Sequence, residues 1–188
     1  MIVTATSIQD LIVIAPKIHL DPRGEFFEVH NTIRYQLHGI PTFVQDNVSK
    51  SKRGVLRGLH YQTSRPQAKL VSVLKGSIYD VAVDLRVASP TFGYWEAVTL
   101  SAENHLQFFV PEGFAHGFLA LEEDTIVSYK CSDYYSPANE KTLRYDDPYL
   151  NIPWTDIGQL TVSCKDLNGQ TFLTYENEFL DLGKINNA

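Results

Sequence analysis

Apolar residues along this chain come in short bursts rather than at helical spacing. Between Thr42 and Tyr135, burst follows burst. Leu70-Val71-Ser72-Val73-Leu74 is one, closed by the turn sequence Lys75-Gly76-Ser77. In the next, Ile78, Val81, Val83 and Leu85 roughly alternate with Asp80, Ala82 and Asp84, the pattern of a half-buried strand. Further strands are predicted over Tyr94–Leu100, Leu106–Val110, Phe118–Leu121 and Thr125–Ser132, with breaks at Ser89-Pro90 and Pro111-Glu112-Gly113. Upstream, the pattern predicts a strand near Leu11–Ala15, a turn at Asp21-Pro22-Arg23-Gly24 and a strand over Glu25–Val29. Asn31 can cap a short helix over Thr32–His38, closed by Gly39 and Pro41. Pro137–Leu150 reads as a loop and Tyr175–Leu182 as a helical tail. Many short strands separated by turns predict an all-β sandwich or barrel.

Composition agrees with this reading. The 10 Tyr, 10 Phe and 2 Trp are many for 188 residues, and aromatic residues favour strands. At roughly 100–200 residues per domain the length predicts one domain, and no linker sets off a second. Twenty-two acidic against 16 basic side chains give a net charge of −6. With no basic block, that balance argues against nucleic acid and against an anionic membrane surface as partners. Cys131 and Cys164 are the only cysteines, too few for a disulfide framework and compatible with a reducing compartment. Met1–Lys17 lacks the basic start of a signal peptide. No run reaches the ~20 apolar residues that span a bilayer. A cytoplasmic protein is expected.

Three segments carry candidate chemistry. In Gly54-Val-Leu-Arg-Gly-Leu-His-Tyr-Gln62, a cation and a titratable imidazole stand three residues apart. Residues at odd separation face opposite sides of a regular strand, but Gly58 between them allows a bulge that turns both inward. Arg57 can then clamp phosphate and His60 can exchange protons near neutral pH. The plain alternative is a hydrogen-bonded core histidine and a surface arginine. In Val110-Pro-Glu-Gly-Phe-Ala-His-Gly-Phe118, the spacing Pro-x-Gly-x-x-His resembles the second motif of the cupin superfamily. A metal held through cupin ligands needs about three of them, and His60 and His116 alone fall short. No metal is expected, and His116 is read as a supporting residue. In Thr125–Tyr135, Tyr129 can donate a proton or simply pack. Lys69, in an otherwise apolar stretch, either points outward or meets an anion inside the barrel.

Taken together, these segments resemble the dTDP-4-dehydrorhamnose 3,5-epimerase family of cupin-fold enzymes. The matching residues are Asp21–Glu28, Gln45–Ser49, Gly54–Gln62, Gln67–Val71, Asp80–Arg86, Ser89–Gly93, Glu112–Phe118, Tyr129-Lys130 and Asp147-Pro148. The resemblance runs from about residue 8 to residue 168 and leaves 170–188 as a variable tail. It implies a double-stranded β-helix (jelly-roll) barrel with short peripheral helices. It also implies a cofactor-free isomerase that inverts carbons beside the C4 ketone of a dTDP-linked 4-keto-6-deoxy sugar.

By that resemblance His60 is the base, Asp166 its partner, Lys69 the cation beside the C4 oxygen and Tyr129 the acid on the opposite face. Asp80 is a buried carboxylate behind His60 or Lys69. Arg57, Gln45, Asn47, Tyr135 and Lys165 contact the ligand, with His116 in support. Arg23, Phe26 (or Phe27) and Glu28 belong to an N-terminal segment, within residues 1–30, that is lent to the other subunit of a homodimer with shared sites. Relatives that invert only C3 or only C5 remain open. So do two other classes, a metal-dependent cupin oxygenase and a non-catalytic sugar-nucleotide binding module.

Overall fold

The computed structural model describes residues 1–155 and 157–185. Its first strands are β1 (Ile2–Ala5), β2 (Ile12–Ala15), β3 (His19–Asp21) and β4 (Gly24–Phe26). The body follows as β5 (Gln45–Ser51), β6 (Val55–Gln62), β7 (Lys69–Lys75), β8 (Ser77–Asp84), β9 (Trp95–Ser101), β10 (Gln107–Val110), β11 (Phe114–Ala120) and β12 (Thr125–Cys131). Two short strands, β13 (Glu140–Thr142) and β14 (Thr161–Val162), come last. Helices are peripheral: α1 (Thr32–Gln36), α2 (Cys164–Leu167) and α3 (Phe172–Ile185).

Two sheets face each other in the jelly-roll manner expected. One has the order β1-β2-β10-β7-β12-β5 and the other β13-β6-β11-β8-β9, with β14 adding to β6. Alternation along the strands explains the layering. Val71, Val73, Phe108, Val110 and Val127 of the first sheet point inward against Ile78, Ala82, Phe114 and Phe118 of the second. The opposite face of the first sheet carries Ile14, Leu70 and Phe109, which Tyr35 and Ile40 cover. The outer face of the second sheet buries Leu59, Val81 and Val83 beneath Leu150, Ile152, Phe172 and Tyr175.

Four elements depart from the sequence pattern. The strand expected over Glu25–Val29 stops at Phe26, because Phe27 turns to pack on the His105 ring, 4.6 Å between centroids. The helix begins where Asn31 predicts, with the Asn31 side chain accepting from the Arg34 amide, but ends at Gln36. Pro137–Leu150 is not all loop: Glu140–Thr142 pairs with β6. So short and polar a strand carries no alternation to reveal it. The helical tail is longer than expected, and the last residues of the 170–188 tail, 186–188, lie outside the described residues.

Candidate active site

The segment with Arg57 and His60 forms β6, an interior strand of the second sheet between β13 and β11. Gly58 has φ +116°, a conformation open to glycine, and a Cβ there would sit 2.6 Å from the Gly117 Cα. Gly117 answers in kind: its Cβ would sit 2.6 Å from the Arg57 carbonyl oxygen. The two glycines let β6 and β11 cross unusually closely, and the register slips between His116 and Phe118. That irregularity undoes the opposite facing of Arg57 and His60, so both line one cavity, as the bulge reading predicts.

This cavity, about 330 Å³, is also lined by Gln45, Asn47, Lys69, His116, Tyr129 and Tyr135. A second cavity of about 200 Å³ adjoins it and shares His60, Lys69, Tyr135 and Glu140. The two sheets contribute different groups. His60 and His116 are register partners on β6 and β11 of the second sheet. Tyr129 and Lys69 stand on β12 and β7 of the first. A ligand between the sheets would have His60 on one side and Tyr129 on the other.

His60 Nε2 lies 2.6 Å from Asp166 Oδ1. Strand β14 runs parallel to β6, Thr161 beside Val55 and Val162 beside Leu56, and delivers α2 to the spot. Ser163 Oγ accepts from the Asp166 amide at 3.1 Å and fixes the turn. Burial alone would push the Asp166 carboxyl up. The His60 hydrogen bond and charge, Ser163 and the Gly58 amide outweigh it and hold the carboxyl below its ordinary value. With Nε2–H donated to Asp166, the lone pair of the neutral ring resides on Nδ1.

A second imidazole–carboxylate pair lies next to the first. His116 Nε2 is 2.7 Å from Asp80 Oδ1, and both side chains are buried. Asp80 thus partners His116 rather than His60. Burial raises the Asp80 carboxyl, while His116 and the Lys69 ammonium pull it back. Lys69 points inward and forms no ion pair among the described residues. Desolvation lowers its pKa, opposed by the Cys131 thiol, Asp80 and Glu140. Burial raises the Tyr129 phenol, helped by Cys131 and opposed by Arg57.

Arg57 Nε donates to Ser51 Oγ at 3.1 Å, which orients its fork. Lys165 stands outside the cavity lining and pairs with Glu140. Glu140 was not anticipated. Its Oε2 accepts from the Tyr135 hydroxyl at 2.5 Å. Burial alone would raise this carboxyl, but Lys165 and Tyr135 hold it below the ordinary range. A lone glutamate in a polar stretch gives no signal in the sequence; only its pairing with β6 puts it in the site.

Arg23, Phe26 and Glu28 do not join these groups. Arg23 grips Asp21 of its own hairpin at 2.6 Å, Glu28 pairs with Arg34 at 3.0 Å, and Phe26 is 71% exposed. Phe26 and Glu28 line a separate groove beside Arg34 and Tyr35.

Comparison with known proteins bears directly on this arrangement. A family model described as dTDP-4-dehydrorhamnose 3,5-epimerase matches residues 5–173. A dTDP-4-dehydrorhamnose 3,5-epimerase from Methanothermobacter thermautotrophicus is 50% identical over 166 residues, 87% of this chain and 90% of the relative. A crystal structure of dTDP-6-deoxy-D-glucose-3,5-epimerase from Legionella pneumophila, in complex with dTDP-4-keto-L-rhamnose, superposes with a TM-score of 0.90 at 49% identity. It covers 94% of this chain and 95% of that one. A 3′-monoepimerase from Streptomyces bikiniensis in complex with dTDP-quinovose shares the fold at TM-score 0.88 and 36% identity, covering 93% and 90%.

Proposed function

The chain belongs to the dTDP-4-dehydrorhamnose 3,5-epimerase family of cupin-fold isomerases, and from that premise we propose how its residues divide the reaction. The substrate is dTDP-4-dehydro-6-deoxy-D-glucose and the product dTDP-4-dehydro-L-rhamnose, a step of dTDP-L-rhamnose synthesis. The C4 ketone acidifies the C–H bonds at C3 and C5, so inversion needs a base, a stabiliser for the enolate oxygen and an acid on the far face.

His60 Nδ1 takes the proton, and Asp166 steadies the imidazolium that forms, the role a carboxylate plays behind a catalytic histidine. Lys69 faces the C4 oxygen and offsets its developing charge, which in a dry cavity is often the largest catalytic contribution. Tyr129 returns a proton from the opposite side. The observation that carries this reading is the division between sheets: His60 stands on one and Tyr129 on the other. Retention would need one group; inversion needs two that face each other.

Arg57, Gln45 and Asn47 hold the nucleotide diphosphate beside this centre, with Tyr135 and the Glu140–Lys165 pair at its edge. His116 and Asp80 brace the floor and bias Lys69. Arg23, Phe26 and Glu28 act on the neighbouring subunit's site: they lie away from their own pocket and their tip is exposed. The assembly is therefore a homodimer. The two unpaired thiols suit a cytoplasmic setting, and no described helix is long and apolar enough to cross a membrane.

Double inversion is favoured over inversion of C3 alone. The 3′-monoepimerase stands at 36% identity, whereas 3,5-epimerases reach 50%. NMR of the substrate reaction in D₂O tests this: deuterium should enter at both C3 and C5. Label at one carbon only would overturn double inversion, and none at either would overturn the epimerase reading.

A further inference from the structure

The arm that carries Arg23, Phe26 and Glu28 has a free tip and a fixed root. At the tip, Leu20 and Phe26 are 79% and 71% exposed. At the root, one backbone carbonyl, that of Val29, is held from two directions. Gln107 opens β10 and is fully buried. Its Nε2 donates to the Val29 carbonyl at 2.8 Å and to Ser72 Oγ at 3.0 Å. Its Oε1 accepts from the Tyr35 hydroxyl at 2.6 Å, and that hydroxyl also lies 3.1 Å from the Val29 carbonyl.

The surroundings make this polar knot unusual. Ile14, Leu70 and Phe109 pack around Tyr35 in the same apolar cluster. A carboxamide buried there loses its water and must recover those hydrogen bonds from protein. An aliphatic side chain would fill the space with no such demand. The amide gives what an aliphatic group cannot, a directional hold on a loop carbonyl. Two residues before Gln107, His105 provides a second grip, with Nε2 3.1 Å from Glu25 Oε2 and its ring against Phe27. The His30 ring, next to Val29, packs at a tilt against Tyr35, 4.8 Å between centroids. The start of β10 thus clamps the arm at its base and leaves its tip to reach outward.

We propose that Gln107, with Tyr35, is a positioning residue for nucleotide binding, which fixes the Val29 carbonyl and so sets where the arm enters the neighbouring subunit's site. This rests on the reading that the arm serves the other subunit. The clamp lies on the far side of the first sheet from His60 and touches no reacting atom, so its effect belongs to binding and not to proton transfer.

The test uses the full-length protein with Gln107→Leu and Tyr35→Phe, with dTDP as the binding probe. Gln107→Leu should weaken dTDP binding and raise KM by about tenfold, since small displacements of binding groups cost that much or more. Its kcat should stay within about twofold of the parent, because the reacting groups are unmoved. Tyr35→Phe should shift both the same way by less. Unchanged dTDP affinity and KM, with only a lower Tm, would reduce the clamp to packing and overturn the proposal. Should Gln107→Leu fail to fold, Tyr35→Phe decides, since it removes one hydroxyl and keeps the ring. Mixing Arg23→Ala with His60→Ala protein separates the two levels. Recovered activity supports an arm that works across the dimer, and normal affinity in Gln107→Leu would then overturn the clamp alone. No recovery would overturn the arm reading and the clamp with it.

Discussion

A histidine serves as a base only if one nitrogen is presented and the other is held, and His60 meets both conditions through Asp166. His60→Ala should therefore lower turnover about 10²–10⁴-fold and abolish deuterium incorporation from D₂O, while dTDP binding persists. Tyr129→Phe should keep some exchange at the carbon acid but slow inversion, read by the same NMR assay as label without change of configuration. With Lys69 in its proposed role, the alkaline side of the pH profile should follow its ammonium. Desolvation lowers its pKa, so its proton is lost at lower pH than from a free lysine, near 10.4. Tyr129 is raised and stays protonated longer. kcat/KM should fall as pH rises through the lowered Lys69 value. Lys69→Arg, charged at every accessible pH, should flatten that limb at a reduced maximum; an unchanged limb would assign it elsewhere. Arg57 and His60 stood out as a cation and an imidazole within one strand pattern, whereas the pattern left Lys69 and Tyr129 open and only the family resemblance gave them roles. Asp166 followed only from family resemblance, since 106 residues separate it from His60. Glu140 was not legible at all.

The elements explain why the legible residues meet. Strand positions were readable from alternation and turn sequences across Thr42–Tyr135. The pairing that matters was not: β13 and β14 are short, and both find their places only against β6. The close crossing of β6 and β11 is the element on which the pocket depends. Gly117→Ala would put a Cβ 2.6 Å from the Arg57 carbonyl and 3.1 Å from the Gly58 Cα, both backbone atoms that no rotamer change can move aside. Overpacking of this kind costs about 1–3 kcal/mol, or roughly 2–4 °C of Tm per kcal/mol at this chain length. Thermal melting should show that loss. Activity should fall further than stability alone accounts for, because Arg57 and His60 would shift together.

The whole molecule sets the stoichiometry of the sites. If each pocket takes its arm from the other subunit, Arg23→Ala and His60→Ala dimers should complement after subunit exchange. A heterodimer then holds one site with both lesions and one with neither. Random exchange under twofold symmetry should restore about a quarter of the sites. An arm serving its own pocket would restore none, and the measurement is a simple activity assay on the mixture. Net charge, read from the sequence, argues against nucleic acid as a partner. It could not show that Arg57 and Lys69 line one cavity of an acidic protein, because a sum carries no positions.

The proposed base and acid, His60 and Tyr129, stand on separate sheets, and the space between those sheets is filled by residues such as Val71 and Val127 from one and Phe118 from the other. Those side chains act as spacers. A lineage could therefore alter how freely a sugar ring turns between His60 and Tyr129 without exchanging either catalytic group, by enlarging or trimming the hydrophobic layer beneath them. Stereochemical outcome would then evolve through the packing of the core, while the machinery that handles protons stays the same.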